Sequence, residues 1–156
     1  MSLYARGNRR RSDNMDIPSV EDLLRGENNV FLATAEGNQP RVRPVTLVEN
    51  NGELFVLTGT TNAKVSQIRK NKKVEVVRLI SFEKGGGYVR FSAVATIIDE
   101  AKIRFRLAKA TSFFSNYFKS DDDPKFTLLQ IVPKKIEYLK PGQMYPDLIE
   151  KLDFTS

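Results

Sequence analysis

The chain contains no cysteine, no histidine and no tryptophan. Without cysteine there are no disulfides, no thiolate metal sites and no cysteine nucleophile. Without histidine, the commonest general base near neutral pH and the commonest metal ligand are both missing. Ser/His/Asp and Cys/His catalytic arrangements are therefore excluded together. Any chemistry must use carboxylates, lysine, tyrosine, hydroxyls, backbone groups or a bound cofactor. No apolar run approaches the roughly 18 residues of a membrane span. No apolar signal core stands near the start. The expectation is a soluble, cytoplasmic protein without a metal site.

What is present is ordinary for a globular protein. The 156 residues are 40% hydrophobic and 28% charged, which fits one domain able to bury a core. Net charge is +6, and half of the excess lies before residue 15. That segment, residues 1–15, reads as a flexible basic arm with no periodicity. Arg9, Arg10 and Arg11 could contact nucleic acid, but a solvated tail is the simpler reading. Residues 16–156 read as the single folded domain.

Periodicity and turn chemistry divide this domain into elements. A short helix is expected over 16–26, with Ser19 as a cap and Pro18 in its first turn. Strands are expected over 30–35, 40–49 and 53–58, the last two joined at Asn51-Gly52. A helix over 62–71 follows, capped by Thr60 or Thr61. Strands over 73–80 and 88–98 flank a glycine turn at 83–87. A long helix is expected over 99–119, with Ile103, Leu107, Ala110, Phe114, Tyr117 and Phe118 as its apolar stripe. Phe105 and Phe113 lie off that stripe. Two strands, 126–132 and 135–140, are separated by Pro133, and a terminal helix is expected around 147–152. The three aspartates at 121–123 read as a solvated loop, because no further ligand spacing follows. Short-spaced strands with irregularly inserted helices indicate a mainly β fold. The expected architecture is a small antiparallel barrel of six to seven strands.

The stretch from Arg41 to Lys64, RVRPVTLVENNGELFVLTGTTNAK, carries the functional signal. Pro44 cannot donate to a sheet ladder, so its strand has an edge or a bulge there. Lys64 falls in the first turn of a helix, where it opposes the helix dipole. An anion bound at that helix start would turn the small penalty into an attraction. Basic side chains, hydroxyls and free backbone N–H groups would converge on one corner. The remaining cluster Arg69, Lys70, Lys72 and Lys73 reads as a solvated face.

Two quoted blocks give this pattern a relative. LATAEGNQPRVRPVTLVENNGELFVLTGTTNAKVSQIRKNKKVEVV, followed by GYVRFSAVATIID, resembles the pyridoxamine 5′-phosphate oxidase-like family of FMN-binding split barrels, over about residues 16–140. The resemblance implies a six- to seven-stranded antiparallel split β-barrel. It implies a homodimer with FMN at the subunit interface. It places Arg41, Val42, Arg43, Pro44 and Val45 beside the isoalloxazine ring. Thr58, Thr60, Thr61, Asn62 and Lys64 would lie around the phosphate. The resemblance implies a flavoprotein oxidoreductase, and catalytic residues and substrate are not assigned. The oxidase itself has an arginine where this chain has Ala63 and a lysine where it has Thr46. It also handles pyridoxal with a histidine and a tryptophan that this chain lacks. The same fold with deazaflavin F420 or haem is one alternative. A nucleic-acid-binding or regulatory protein using the basic arm is another.

Overall fold

The computed structural model describes residues 18–80 and 85–155. The basic arm, the first two positions of the expected opening helix and the start of the glycine turn lie outside the described residues. The elements are α1 (Val20–Leu24), β1 (Glu27–Glu36), β2 (Gln39–Asn50), β3 (Glu53–Gly59), α2 (Ala63–Lys70), β4 (Lys73–Ile80), β5 (Gly87–Ile98), α3 (Ala101–Ala110), α4 (Phe114–Tyr117), β6 (Phe126–Leu139) and β7 (Asp147–Ile149). The sheet order is β3-β2-β1-β4-β5-β6-β7, every pair is antiparallel, and β3 also pairs with β6. That last pairing closes six strands into a barrel, with β7 as an extra strand on β6. This is the small antiparallel barrel that the strand pattern predicts, in the split-barrel form that the resemblance implies. No helix among the described residues is long and apolar enough to cross a membrane.

Alternation along the strands builds the interior. Val30 and Leu32 of β1, Val74 and Val76 of β4, and Val89, Phe91, Ala93 and Ala95 of β5 all point inward. Strand β3 is buried on both faces, which accounts for its unbroken apolar run. Leu54 and Val56 enter the barrel core, while Phe55 and Leu57 enter a second cluster with Leu107, Phe114, Phe126 and Leu128. That second core lies between the barrel wall and α3 with α4. Val20, Leu23 and Leu24 of α1 plug the barrel interior. The C-terminal segment packs Leu152 and Phe154 against the same core, and the Arg25 guanidinium donates to the Phe154 carbonyl at 3.1 Å.

Several expected elements differ, each for a non-local reason. The single helix over 99–119 is two helices, because Thr111 is extended (φ −91°, ψ 123°). Glu27, far away on β1, accepts both the Ser112 N–H and its hydroxyl at 2.6 Å, which holds the break open. Ala110 and Tyr117 are consequently exposed rather than part of a buried stripe. The strands on either side of Pro133 are one strand, β6. Pro133 pairs with Ala93 and Lys135 with Ser92, so Lys134 is the extra residue of a bulge. A bulge is where a proline can sit inside a sheet, because no ladder N–H is needed there. The expected terminal helix is instead β7, which pairs with Ile136–Tyr138. The opening helix is shorter than expected and starts after Pro18. Ser19 caps it, in a reciprocal capping box with Asp22. Helix α2 is capped by neither Thr60 nor Thr61; its N-cap position is Asn62.

Core and edge positions should separate cleanly in stability. Leu32 is fully buried and Leu148 is 66% exposed. Leu32→Ala is expected to cost about 2–5 kcal/mol. Leu148→Ala should stay within about 0.5 kcal/mol. Urea unfolding midpoints of the two variants check this, and equal midpoints would contradict the inward register of β1.

Candidate functional site

The site begins where two neighbouring strands part. β2 pairs with β1 from Gln39 to Val48 in register. It shares only Val48↔Phe55, Glu49↔Leu54 and Asn50↔Glu53 with β3. The hairpin that joins them is tight, with Asn51 and Gly52 both at positive φ (52° and 78°), as a type I′ turn requires. Beyond those pairs the facing edges of β2 and β3 separate. Pro44 falls on the free stretch, opposite Phe31 of β1. The edge expected at Pro44 is therefore present, and its backbone groups do not face a ladder on that side.

The bend after β3 crosses the mouth of this opening. Gly59 allows a close approach: a Cβ there would come within 3.0 Å of the Asn62 amide nitrogen. The Thr58 hydroxyl accepts from Asn62 Nδ2 at 3.2 Å and from Lys64 Nζ at 2.8 Å. The Asn62 side chain is thereby directed away from its own helix, and α2 starts without a side-chain cap. The Val65 N–H donates to the Asn62 carbonyl at 3.0 Å, which leaves the Ala63 and Lys64 N–H groups of the first turn for an anion. Thr60 serves a different purpose. Its hydroxyl donates to the Pro124 carbonyl at 2.8 Å and lies 2.9 Å from the Thr127 hydroxyl, pinning the bend to β6. Thr61 is exposed on the bend.

Arg43 reaches the same region from β2. Its guanidinium donates to the Leu32 carbonyl (3.2 Å), to the Thr34 hydroxyl (2.9 Å) and to Gln67 Oε1 (2.9 Å). Thr34 also donates to Gln67 Oε1 at 2.6 Å, and both side chains are buried. This polar brace ties α2 to β1 and β2. Thr34 and Gln67 are not visible as site residues in the sequence. Gln67 sits three positions after Lys64, beside Ile68, where a polar side chain looks like the edge of a solvated face. Arg41 lies further out and pairs with Glu36 at 2.9 Å. Val42 and Pro44 are exposed, and Val45 packs on the barrel core.

Electrostatics set this corner apart. Burial pushes the Lys64 ammonium below its usual pKa, and the Arg43 charge pushes it further. Burial likewise lowers Arg43, with Arg41 adding to the effect. Neither Lys64 nor Arg43 has an ion pair among the described residues. Two partly buried cations thus lie near enough for Arg43 to act on Lys64, and neither is paired with a carboxylate among the described residues, beside hydroxyls and an uncapped helix start. That donor set suits a phosphate. Among the described residues no group of acidic side chains is placed to hold a metal ion, Asp121–Asp123 included. The Asp123 carboxylate instead accepts the Lys119 and Lys125 N–H groups, each at 2.9 Å.

The sequence profile of the family described as pyridoxamine 5′-phosphate oxidase matches residues 17–140. No curated protein sequence matches. Among solved structures, a NimC/NimA family protein of Clostridium acetobutylicum is 25% identical, with a TM-score of 0.67 over 78% of this chain and 82% of that one. A protein of the same organism, related to general stress protein 26 and placed in the pyridoxinephosphate oxidase family, is 17% identical. Its TM-score is 0.65 over 79% of this chain and 85% of that one. A haem-binding protein from Mycobacterium smegmatis is 16% identical, with a TM-score of 0.66 over 86% of this chain and 59% of that one. At the lower two identities the likeness shows the fold alone.

The depressed Lys64 pKa carries a stability consequence. At neutral pH the lysine is charged in both folded and unfolded chains, and the fold bears its desolvation. That cost disappears as pH rises through the folded pKa toward the unfolded value of about 10.4. Lys64→Met should therefore raise the urea midpoint of the ligand-free protein at neutral pH. The gain should shrink as the pH approaches about 10. A lower midpoint for the variant at neutral pH would contradict the desolvation argument.

Proposed function

The chain belongs to the pyridoxamine 5′-phosphate oxidase family, and from that premise we propose that it is a homodimeric FMN-binding oxidoreductase, with the cofactor in the opening between β2 and β3. The observation that carries this reading is Lys64 in the uncapped first turn of α2, with Arg43 near enough to lower its pKa and neither cation paired with a carboxylate among the described residues. A phosphomonoester bears about −1.5 to −2 charges at neutral pH, and such a group relieves both cations at once. Lys64 has three donors and gives one to Thr58, so the others can reach phosphate oxygens. Arg41–Val45 supply the ring side of the site. Their free edge offers backbone N–H and carbonyl groups to the polar rim of a flavin, while Val42 and Pro44 offer apolar surface. The bound flavin would supply the electron transfer that a chain without histidine or cysteine cannot.

FMN is favoured over haem by the ligand chemistry of the chain. There is no histidine to serve as an axial ligand. A tyrosine would have to act as phenolate. Tyr138, the buried tyrosine among the described residues, has its pKa raised by burial, which opposes that form.

The second copy has a surface to occupy. Phe31, Val42 and Leu79 are large apolar side chains that remain exposed (40%, 68% and 47%). They share the outer face of β1, β2 and β4, where Phe31 is flanked by Pro44 and Val77. A second molecule packed there would cover the opening as well as the apolar face, and would shield the flavin from water.

Two measurements test the proposal. FMN titrated into the purified protein should quench its fluorescence on binding. Lys64→Ala should weaken binding about tenfold to a hundredfold, as loss of a charge-assisted hydrogen bond does. Lys140→Ala should leave it within about twofold, since Lys140 stands at the far end of β6 and its ion pair among the described residues is with Asp147. No saturable FMN binding, or equal losses in both variants, would refute the placement. Leu79→Glu should shift the protein to monomer in sedimentation velocity and weaken FMN together; a monomeric variant with full affinity would separate the site from the interface.

A further inference from the structure

The brace behind Arg43 continues beyond that arginine. Gln67 Nε2 donates, at a long 3.5 Å, to Glu36 Oε2, the oxygen that also accepts the Arg41 Nε–H at 2.9 Å. One carboxamide therefore stands between the two arginines of β2. Its oxygen faces Arg43 and the Thr34 hydroxyl, and its nitrogen faces the Glu36 carboxylate. Chemistry forces that orientation. A guanidinium has donors only, so the amide nitrogen cannot take the place of the oxygen at Arg43.

The position of Gln67 ties the brace to the anion corner. Gln67 follows Lys64 by three residues on α2, so the two side chains leave the same side of the helix. The acceptors of Arg43 are a carbonyl, a hydroxyl and a carboxamide, all uncharged. They satisfy its N–H groups and leave its charge whole. The Glu36 carboxylate pairs with Arg41 instead, and no ion pair joins it to Arg43 among the described residues. Burial and the neighbouring Arg41 lower the pKa of Arg43, as befits a cation held without a counter-charge. A phosphomonoester, with about −1.5 to −2 charges, gains from such a cation. An uncharged hydroxyl in its place gains far less.

We infer that Gln67 is a positioning residue that makes the site select a phosphorylated ligand over the same ligand without its phosphate. It fixes the Arg43 guanidinium through an uncharged oxygen and leaves the Glu36 carboxylate to Arg41. The ring of that ligand rests on the flavin reading above, and the selection for phosphate rests on the hydrogen bonds of Gln67.

Titrations of the full chain with FMN, riboflavin and inorganic phosphate test it, using Gln67→Glu and Gln67→Met. The first variant keeps an acceptor for Arg43 and Thr34 and adds a negative charge. The second removes the acceptor and adds no charge. Wild type should bind FMN more tightly than riboflavin. Gln67→Glu should weaken FMN about tenfold to a hundredfold, the scale of a charge-assisted hydrogen bond, and leave riboflavin within about twofold. Gln67→Met should weaken FMN about twofold to tenfold, since Arg43 must then be ordered on binding. A purely structural brace predicts the reverse order, because Gln67→Glu preserves more of the hydrogen bonds. Inorganic phosphate should raise the urea midpoint of wild type and raise it less in Gln67→Glu. An FMN preference that is absent in wild type, unchanged in Gln67→Glu, or lost more fully in Gln67→Met would overturn the inference and leave the flavin reading standing. If Gln67→Glu does not fold, an unchanged preference in Gln67→Met overturns it equally. If neither flavin binds wild type, the flavin reading fails. A phosphate shift that Gln67→Glu abolishes would then uphold the inference for phosphate alone, and the lack of such a shift would overturn both.

Discussion

The parting of β2 from β3 is the constraint on which the rest of the molecule depends. Two strands joined by a type I′ hairpin would ordinarily pair along their full length. Here they share three residue pairs and then separate. β3 turns to β6 and closes the barrel there, with pairs running from Leu54 to Gly59. β2 stays with β1. The barrel is therefore closed in its hydrogen-bond network and still open along one seam. Backbone groups along that seam need partners. Pro44 removes one donor from the seam, and solvent or a ligand must satisfy the others.

Charge collects at the same seam for a related reason. Arg43 projects from the parted stretch of β2, and Lys64 projects from the helix that follows β3. Both lose hydration as α2 packs over the barrel end, and burial is the largest cause of each lowered pKa. A fold shaped only for stability would place a carboxylate between them. The chain instead gives Lys64 the Thr58 hydroxyl, and Arg43 the Thr34 hydroxyl and the Gln67 carboxamide, which orient the cations without neutralising them. Local rules broken without internal compensation mark functional sites more often than structural ones.

Much of this was legible in the sequence, and the limits have a pattern. β4 matches its expected range at both ends, and the Asn51-Gly52 turn is where its residues require positive φ. Both depend on local signals, namely alternation and turn chemistry. The bulge at Pro133, the break at Thr111 and the strand β7 depend on partners remote in sequence: Ser92 and Ala93, Glu27, and Ile136 with Tyr138. No window along the chain contains those pairs. The site divides in the same way. Thr58, Asn62 and Lys64, which the resemblance groups, lie together because one bend positions all of them. Thr60 also stands on that bend, but its hydroxyl is taken by β6. Thr34 and Gln67 were hidden, since their meaning lies in a contact across the barrel end.

That hidden contact decides how the two arginines of β2 differ. Arg43 is held on three acceptors from β1 and α2, so its orientation is fixed before any ligand arrives. Its Nε–H and a further N–H remain for an anion. Among the described residues Arg41 is held by an exposed pair with Glu36, an interaction worth little in water. It can swing to a ligand at small cost, but it must be ordered when it does so. Preorganised donors lose less on binding than mobile ones. Arg43 and Lys64 therefore form the fixed part of the anion site, and Arg41 the adjustable part. Gln67 is what makes Arg43 fixed. Its carboxamide oxygen takes hydrogen bonds from Arg43 and Thr34 without bringing a negative charge. A carboxylate in that position would orient the guanidinium equally well and cancel the charge that the site needs.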